Sequence, residues 1–185
     1  MSKPEYVTRF YRQWMKPSGL AVFDVRVRES DLLVAAESDL GDKAAQILHE
    51  VRTPLEKYIA RHDAFLNSLA PVKVERAAPA IVRTMAEAAE TAAVGPMAAV
   101  AGAVAEAVGR ALLPFTKEVI VENGGDIFLL ARQQRVVAVY AGEGEFKDKL
   151  GVELEPAPDG IGIATSSSTI GPSLSLGKAD AATVI

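Results

Sequence analysis

Apolar and polar positions alternate twice near the start of the chain, over residues 7–14 and 20–28, with Lys16-Pro17-Ser18-Gly19 between them. Alternation with period two predicts strands, and Glu29-Ser30-Asp31 predicts a tight turn into a third apolar run at residues 32–36. From about Asp39 the period changes: Ala44, Ile47, Leu48, Val51, Leu55, Tyr58 and Ile59 recur at three- and four-residue spacing, the stripe of an amphipathic helix. Pro54 is expected to kink or restart that helix, because proline lacks an amide donor and crowds the preceding turn. The helical region is expected to end near Leu69, before Pro71. Residues 80–93 predict a second helix, and Gly95-Pro96 separates it from a third over residues 97–113.

After Pro114 the short period returns. Residues 118–122 and 127–131 read as strands flanking Asn123-Gly124-Gly125-Asp126, followed by strands over 135–140 and 149–155. Pro156-Ala157-Pro158-Asp159-Gly160 predicts a turn, residues 161–164 lead into the polar run Thr165-Ser166-Ser167-Ser168-Thr169, and residues 181–185 read as a last strand. Strands, then helices, then strands predict an α+β domain in which long helices cover one face of an antiparallel sheet, with residues 1–185 as one domain.

Composition narrows the function classes. Hydrophobic residues make up 49% of the 185, enough for a substantial core. The net charge is −4, which argues against a nucleic-acid binder, and Arg9, Arg12 and Lys16 are too sparse to reverse it. The chain has no cysteine, which excludes disulfides, iron–sulfur clusters, thiolate zinc sites and a cysteine nucleophile. Its two histidines, His49 and His62, lie in the first helical stretch and do not make a histidine-rich metal site. The N-terminus lacks the apolar core of a signal peptide. The uncharged stretch at residues 91–105 is shorter than the roughly 20 residues of a membrane span, so it reads as a buried helix in a cytoplasmic protein.

The first candidate site is Asn123-Gly124-Gly125-Asp126. Adjacent glycines permit positive φ and close approach of a ligand, and Asn123 and Asp126 add an amide and a carboxylate. Asn-Gly between apolar runs is equally a hairpin signal. A hairpin leaves the charged pair Glu122 and Asp126 unexplained. The second candidate is the hydroxyl-rich run with Thr165, Ser166 and Ser167, whose hydroxyls suit a phosphate or an oxyanion or else line a solvated loop. A third is the start of the small-residue helix at Gly95-Pro96-Met97, where free amides suit an anion, unless the helix is simply packed in the core. Asp180 and Thr183 offer hard oxygen ligands for Mg²⁺.

Three of these segments together resemble a known group. Val119-Ile120-Val121-Glu122-Asn123-Gly124-Gly125-Asp126-Ile127 is similar to the strand-turn of the ApbE flavin transferases, the FAD:protein FMN transferases. Ile163-Ala164-Thr165-Ser166-Ser167 is similar to their Ala-Thr-Ser-Gly segment, and the run from Gly95 to Gly102 stands where they have a glycine-rich helix start. An uncharacterised ApbE-like family of bacteria and archaea resembles the chain more closely, over nearly its whole length.

The resemblance implies an ApbE-like fold and a flavin nucleotide or related phosphorylated ligand at the glycine turn, with FAD and Mg²⁺ as the cofactors of a transferase. It places Gly124, Gly125 and Asp126 on the ligand, with Thr165 and Ser166 beside it. Two features differ from the transferases. Ala101-Gly102-Ala103 stands where they carry a lysine, and Thr183 follows Asp180 by three residues rather than four. The family pattern continues past the position of Ile185, so the chain is expected to be a truncated form. Three functions follow as alternatives: a ligand-binding protein of unknown function, a flavin-handling enzyme, or a homo-oligomeric assembly protein using its Ala- and Gly-rich helices.

Overall fold

The computed structural model describes residues 10–139, 149–166 and 181–185. Among these residues, eight strands and four α-helices form an α+β fold. The strands are β1 (Ala21–Val27), β2 (Ser30–Ala36), β3 (Val119–Asn123), β4 (Asp126–Ala131), β5 (Arg135–Val139), β6 (Leu150–Leu154), β7 (Ala157–Ser166) and β8 (Ala182–Val184). The helices are α1 (Gly41–Ile59), α2 (Asp63–Asn67), α3 (Ala80–Ala92) and α4 (Val100–Leu112). Six of the strands make one antiparallel sheet in the order β1-β2-β3-β4-β7-β8, and β5 and β6 pair separately.

The sheet has two covered faces. On one, Val25, Leu32, Val34, Val119, Val121 and Phe128 meet Leu48, Val82, Met85, Val104 and Val108 of the helices in the larger core. On the other, Ala35, Ile120, Leu129 and Ile163 meet Leu154 of β6, with Val137 and Val152 packed alongside. Covering on both sides explains why every residue of β2 and β3 is buried, whereas β1 alternates. Each fully buried aliphatic side chain contributes about 1.5–3 kcal/mol, so the central strands and α4 carry much of the stability. Among the described residues, no single helix is long and apolar enough to cross a membrane.

The expected periodicities locate most elements, with three corrections. Residues 10–14 form a 3-10 helix (Phe10–Trp14) rather than a strand, because Tyr11 and Arg12 turn inward to distant carboxylates; the rest of the expected strand, residues 7–9, lies outside the described residues. α1 runs through Pro54 as one helix, and the Thr53 hydroxyl donates to the His49 carbonyl in the adjoining turn (2.8 Å). The expected turn at residues 156–160 is instead the start of β7, whose pairing with β4 shifts register between Leu129 and Ala131. The proline and glycine signals there mark a bulge, which leaves the strand bent but unbroken.

α4 sits close to its neighbours because it is made of small residues. A Cβ on Gly109 would lie 2.4 Å from Cδ1 of Phe128, so the Phe128 ring occupies the space that a side chain would need. The reading of this small-residue stretch as a buried helix holds for Ala103, Ala105, Val108 and Gly109, which are buried within the chain.

A second buried arrangement anchors the β5–β6 hairpin. Arg135 pairs with Glu118, both side chains less than a tenth exposed, and donates to the Ser18 carbonyl (2.9 Å). Glu118 also accepts the Arg132 amide (2.8 Å). A buried ion pair adds little net stability over an apolar pair, but it fixes which surfaces meet.

Candidate functional site

β3 and β4 are joined by the two-residue turn Gly124-Gly125, with Asn123 paired to Asp126. Both glycines have positive φ, 66° and 99°, the backbone of the tight hairpin turn that matches strand twist. The hairpin reading of this segment is correct. It does not exhaust what the flanking side chains do.

Side chains alternate across the sheet, so the pairing places Asn123 and Asp126 on its helix-covered face. There they meet the start of α4. The first amides of a helix lack intrahelical acceptors, and a Ser, Thr, Asp or Asn at the N-cap usually supplies one. The N-cap of α4 is Ala99, which has no side-chain acceptor. Asp126 faces that place from β4: its carboxylate lies against the Gly102 backbone, whose amide favours the charged form. The gap left by glycine admits it, since a Cβ on Gly102 would lie 3.5 Å from Oδ2 of Asp126. Asn123 completes the staple by donating from Nδ2 to the Ala101 carbonyl (3.0 Å).

The acidity of Asp126 is out of keeping with a simple cap. Burial is the largest influence and raises its pKa, the Gly102 amide lowers it, and the nearby Glu122 charge raises it, with a net result of about 6. No arginine or lysine among the described residues pairs with it.

Glu122 points to the other face, where it is 4% exposed. Its Oε1 accepts the Tyr11 hydroxyl (3.0 Å) and the Gly125 amide (2.9 Å), and its Oε2 accepts Arg12 Nε (2.7 Å). Arg12 also bonds the Asp31 carboxylate and carbonyl, both at 2.6 Å. Thus Arg12, expected only as one of a few sparse basic residues, is a largely buried cation between two buried acids. Sequence patterning had no signal for it beyond the unexplained carboxylate at Glu122, because the partners lie 110 positions apart.

β7 brings the hydroxyl run to the same corner. The Thr165 amide donates to the Gly125 carbonyl (3.3 Å). Thr165 shares the face of Ile163, however, so its side chain lies on the side opposite Asp126, where its hydroxyl meets that of Thr183 on β8 (3.1 Å). Exposed Ser166 falls on the Asp126 side. Ser167 and Asp180 lie outside the described residues, so of the expected metal ligands only Thr183 has a place here. Among the described residues, no group of three or more His, Cys, Asp or Glu could hold a metal ion.

The helix-start residues separate from the corner. Gly95 is buried against the Ser68 carbonyl oxygen, which a Cβ would approach to 1.8 Å, and its role is close packing. Met97 is half-buried and packs on the main core. α4 proper begins after the 3-10 turn Pro96–Ala99, so Gly102 is the amide that reaches the corner. A groove of about 290 Å³ opens elsewhere, among Val51, Pro54, Ile81, Thr84, Ala103 and Ala107. None of its lining residues carries the chemistry described above. The carboxylates, the glycine turn and the freed helix amide are the stronger pointer to a site.

A family described as "AbpE bacteria" matches residues 12–185. Similar proteins include a UPF0280 protein of Methanocaldococcus jannaschii, 44% identical over 162 residues covering 85% of this chain and 65% of that protein. A UPF0280 protein of Methanocella arvoryzae is 41% identical over 161 residues, 86% of this chain and 65% of that protein. A UPF0280 protein of Methanopyrus kandleri is 40% identical over 162 residues, with coverage of 86% and 65%. The chain therefore spans about 65% of the length of these curated relatives. These findings correct the expected ApbE-like membership: the matching family carries another name, and these relatives' names do not refer to FMN transfer. The flavin transferase activity rested on that resemblance and loses its support with it.

Proposed function

This chain belongs to the family described as "AbpE bacteria", and we propose that it binds a small phosphorylated ligand, of the nucleotide type, at the corner where the Gly124-Gly125 turn, the start of α4 and the end of β7 converge. One observation carries the reading. An asparagine at position 126 could accept the Gly102 amide and cap α4 equally well, so packing explains the side chain's shape but not its charge. A partly buried carboxyl held up to about 6, beside a second acid and without a cation among the described residues, opposes folding at neutral pH. A carboxylate of that kind supplies a hydrogen-bond acceptor for ligand hydroxyl or ring N–H groups.

The same geometry limits where a phosphate can go. The Gly102 amide already faces the Asp126 carboxylate, and the Gly125 amide is bonded to Glu122. The exposed backbone of Gly124 and the hydroxyl of Ser166 remain as polar groups on an open surface. A phosphate on them and a sugar or ring donor on Asp126 describe a nucleotide better than inorganic phosphate, and a flavin nucleotide is one member of that class.

Titration with FMN, FAD, ADP and inorganic phosphate in a thermal-shift assay tests the reading. At least one nucleotide is expected to raise the melting temperature saturably, and phosphate alone to raise it less. If none of the nucleotides shifts it at millimolar concentration, the corner is only a hairpin docked on a helix.

A further inference from the structure

The 3-10 helix at residues 10–14 is joined to the glycine turn by a chain of hydrogen bonds that the hairpin itself does not need. Two-glycine turns form readily without outside help. Here the Gly125 amide nevertheless donates to Glu122, and Glu122 is held from its other side by Tyr11 and Arg12. The Arg12 side chain is 10% exposed and those of Asp31 and Glu122 are 8% and 5%, so the three charged groups of the link are largely shielded from water. Burying three charged groups is unfavourable unless each is paired and hydrogen-bonded, and the guanidinium fork meets that need by reaching both acids at once.

We infer that Arg12 is a positioning residue for the turn: it holds Glu122 in the one orientation that fixes the Gly125 amide, and through it the Asp126 corner on the opposite face. The segment before β1 is thereby part of the site's construction although it never touches the corner. Its consequence for a ligand rests on the function proposed above, but the positioning itself does not. Without Arg12 the Glu122 carboxylate is a buried charge lacking its cation, and it leaves the Gly125 amide for solvent.

The test reads the turn directly in the full chain without ligand. Amide hydrogen exchange by NMR is compared between the wild type, Arg12→Gln and Arg12→Lys. In Arg12→Gln the Gly125 amide is expected to exchange about 10-fold faster or more, while the Val121 and Phe128 amides keep their protection. Lysine, which restores the charge but not the fork, is expected to recover part of the protection. Tyr11→Phe removes the hydroxyl bond to Glu122 and covers the case in which Arg12→Gln does not fold. It is expected to speed Gly125 exchange about 2–3-fold.

Unchanged Gly125 exchange in the folded variants would overturn the inference, and so would equal acceleration at Gly125, Val121 and Phe128, which would mark a general structural role. The affinity of Arg12→Gln for whichever nucleotide the wild type binds, expected to be about 10-fold weaker, is read separately. A wild type that binds nothing defeats the proposed function and leaves the exchange result to decide the positioning.

Discussion

Gly95→Ala should melt the protein far below the wild type without altering the ligand corner. Its new methyl group would lie 1.8 Å from the Ser68 carbonyl oxygen, 2.8 Å from that carbonyl carbon and 3.0 Å from Cα of Leu69. All three are backbone atoms, and a rotamer change cannot clear them. Relief requires moving the segment after α2 away from the 3-10 turn before α4, and overpacking of this severity costs about 3 kcal/mol or more. Urea unfolding measures it. Gly162→Ala is the control, because nothing lies within 4 Å of its Cβ, and a change within about 0.5 kcal/mol is expected. Below its melting point, Gly95→Ala should bind ligand as the wild type does. A stable Gly95→Ala protein with weakened binding would return Gly95 to the site, where its sequence context first placed it.

The second large effect has the opposite sign. Asp126→Asn is expected to stabilise the protein at neutral pH. The folded pKa of Asp126 is raised from 3.8 to about 6, so the protonated form is the one the fold prefers. A raised carboxyl contributes stability that is fully present below the unfolded value and is lost as pH rises through the folded one. The wild type therefore loses stability from this group between about pH 4 and pH 7, and the asparagine variant, which keeps the cap on Gly102, does not.

The rise from 3.8 to about 6 corresponds to about 3 kcal/mol at full burial. Partial exposure to solvent reduces this to about 1 kcal/mol, or a few degrees in melting temperature for a chain of this size. Melting curves at about pH 4 and about pH 7.5, on either side of the titration, measure it. The variant and the wild type should coincide at the lower pH and separate at the higher. A variant less stable than the wild type at the higher pH would show that the carboxylate's charge serves the cap after all, and the argument for a ligand would fall with it.

Local periodicity made most of the fold legible. The 3.6-residue stripe located α1 and α3, and alternation or short apolar runs located β1 to β6, because both signals come from a face meeting a core. It failed where tertiary partners or sheet irregularity decided the outcome. Residues 10–14 alternate like a strand, yet Arg12 and Tyr11 are drawn to acids on β2 and β3, and no local pattern announces that. Pro156 to Gly160 carry every turn signal, and β4 accepts them as a bulge.

The candidate site was legible in outline. The glycine turn, the start of α4 and the hydroxyl run do meet, as the close approach of Asp126 to Gly102 and the Thr165–Gly125 hydrogen bond record. Its internal division was not legible. Strand register sends the Thr165 hydroxyl to the opposite face from Asp126 and turns Asn123 into a staple for Ala101. The 3-10 turn before α4 leaves Gly95 packed on the Ser68 backbone, away from the corner that its neighbours in sequence help to build.

The most direct measurement is an NMR titration of the isotopically labelled chain with FMN or ADP, following backbone amides. Saturable shifts concentrated at Gly102, Gly124, Gly125, Asp126 and Ser166, and absent in Asp126→Asn, are the predicted result. Saturable shifts confined to Val51, Ile81, Thr84 and Ala107 would place the ligand in the groove among α1, α3 and α4 and contradict the account.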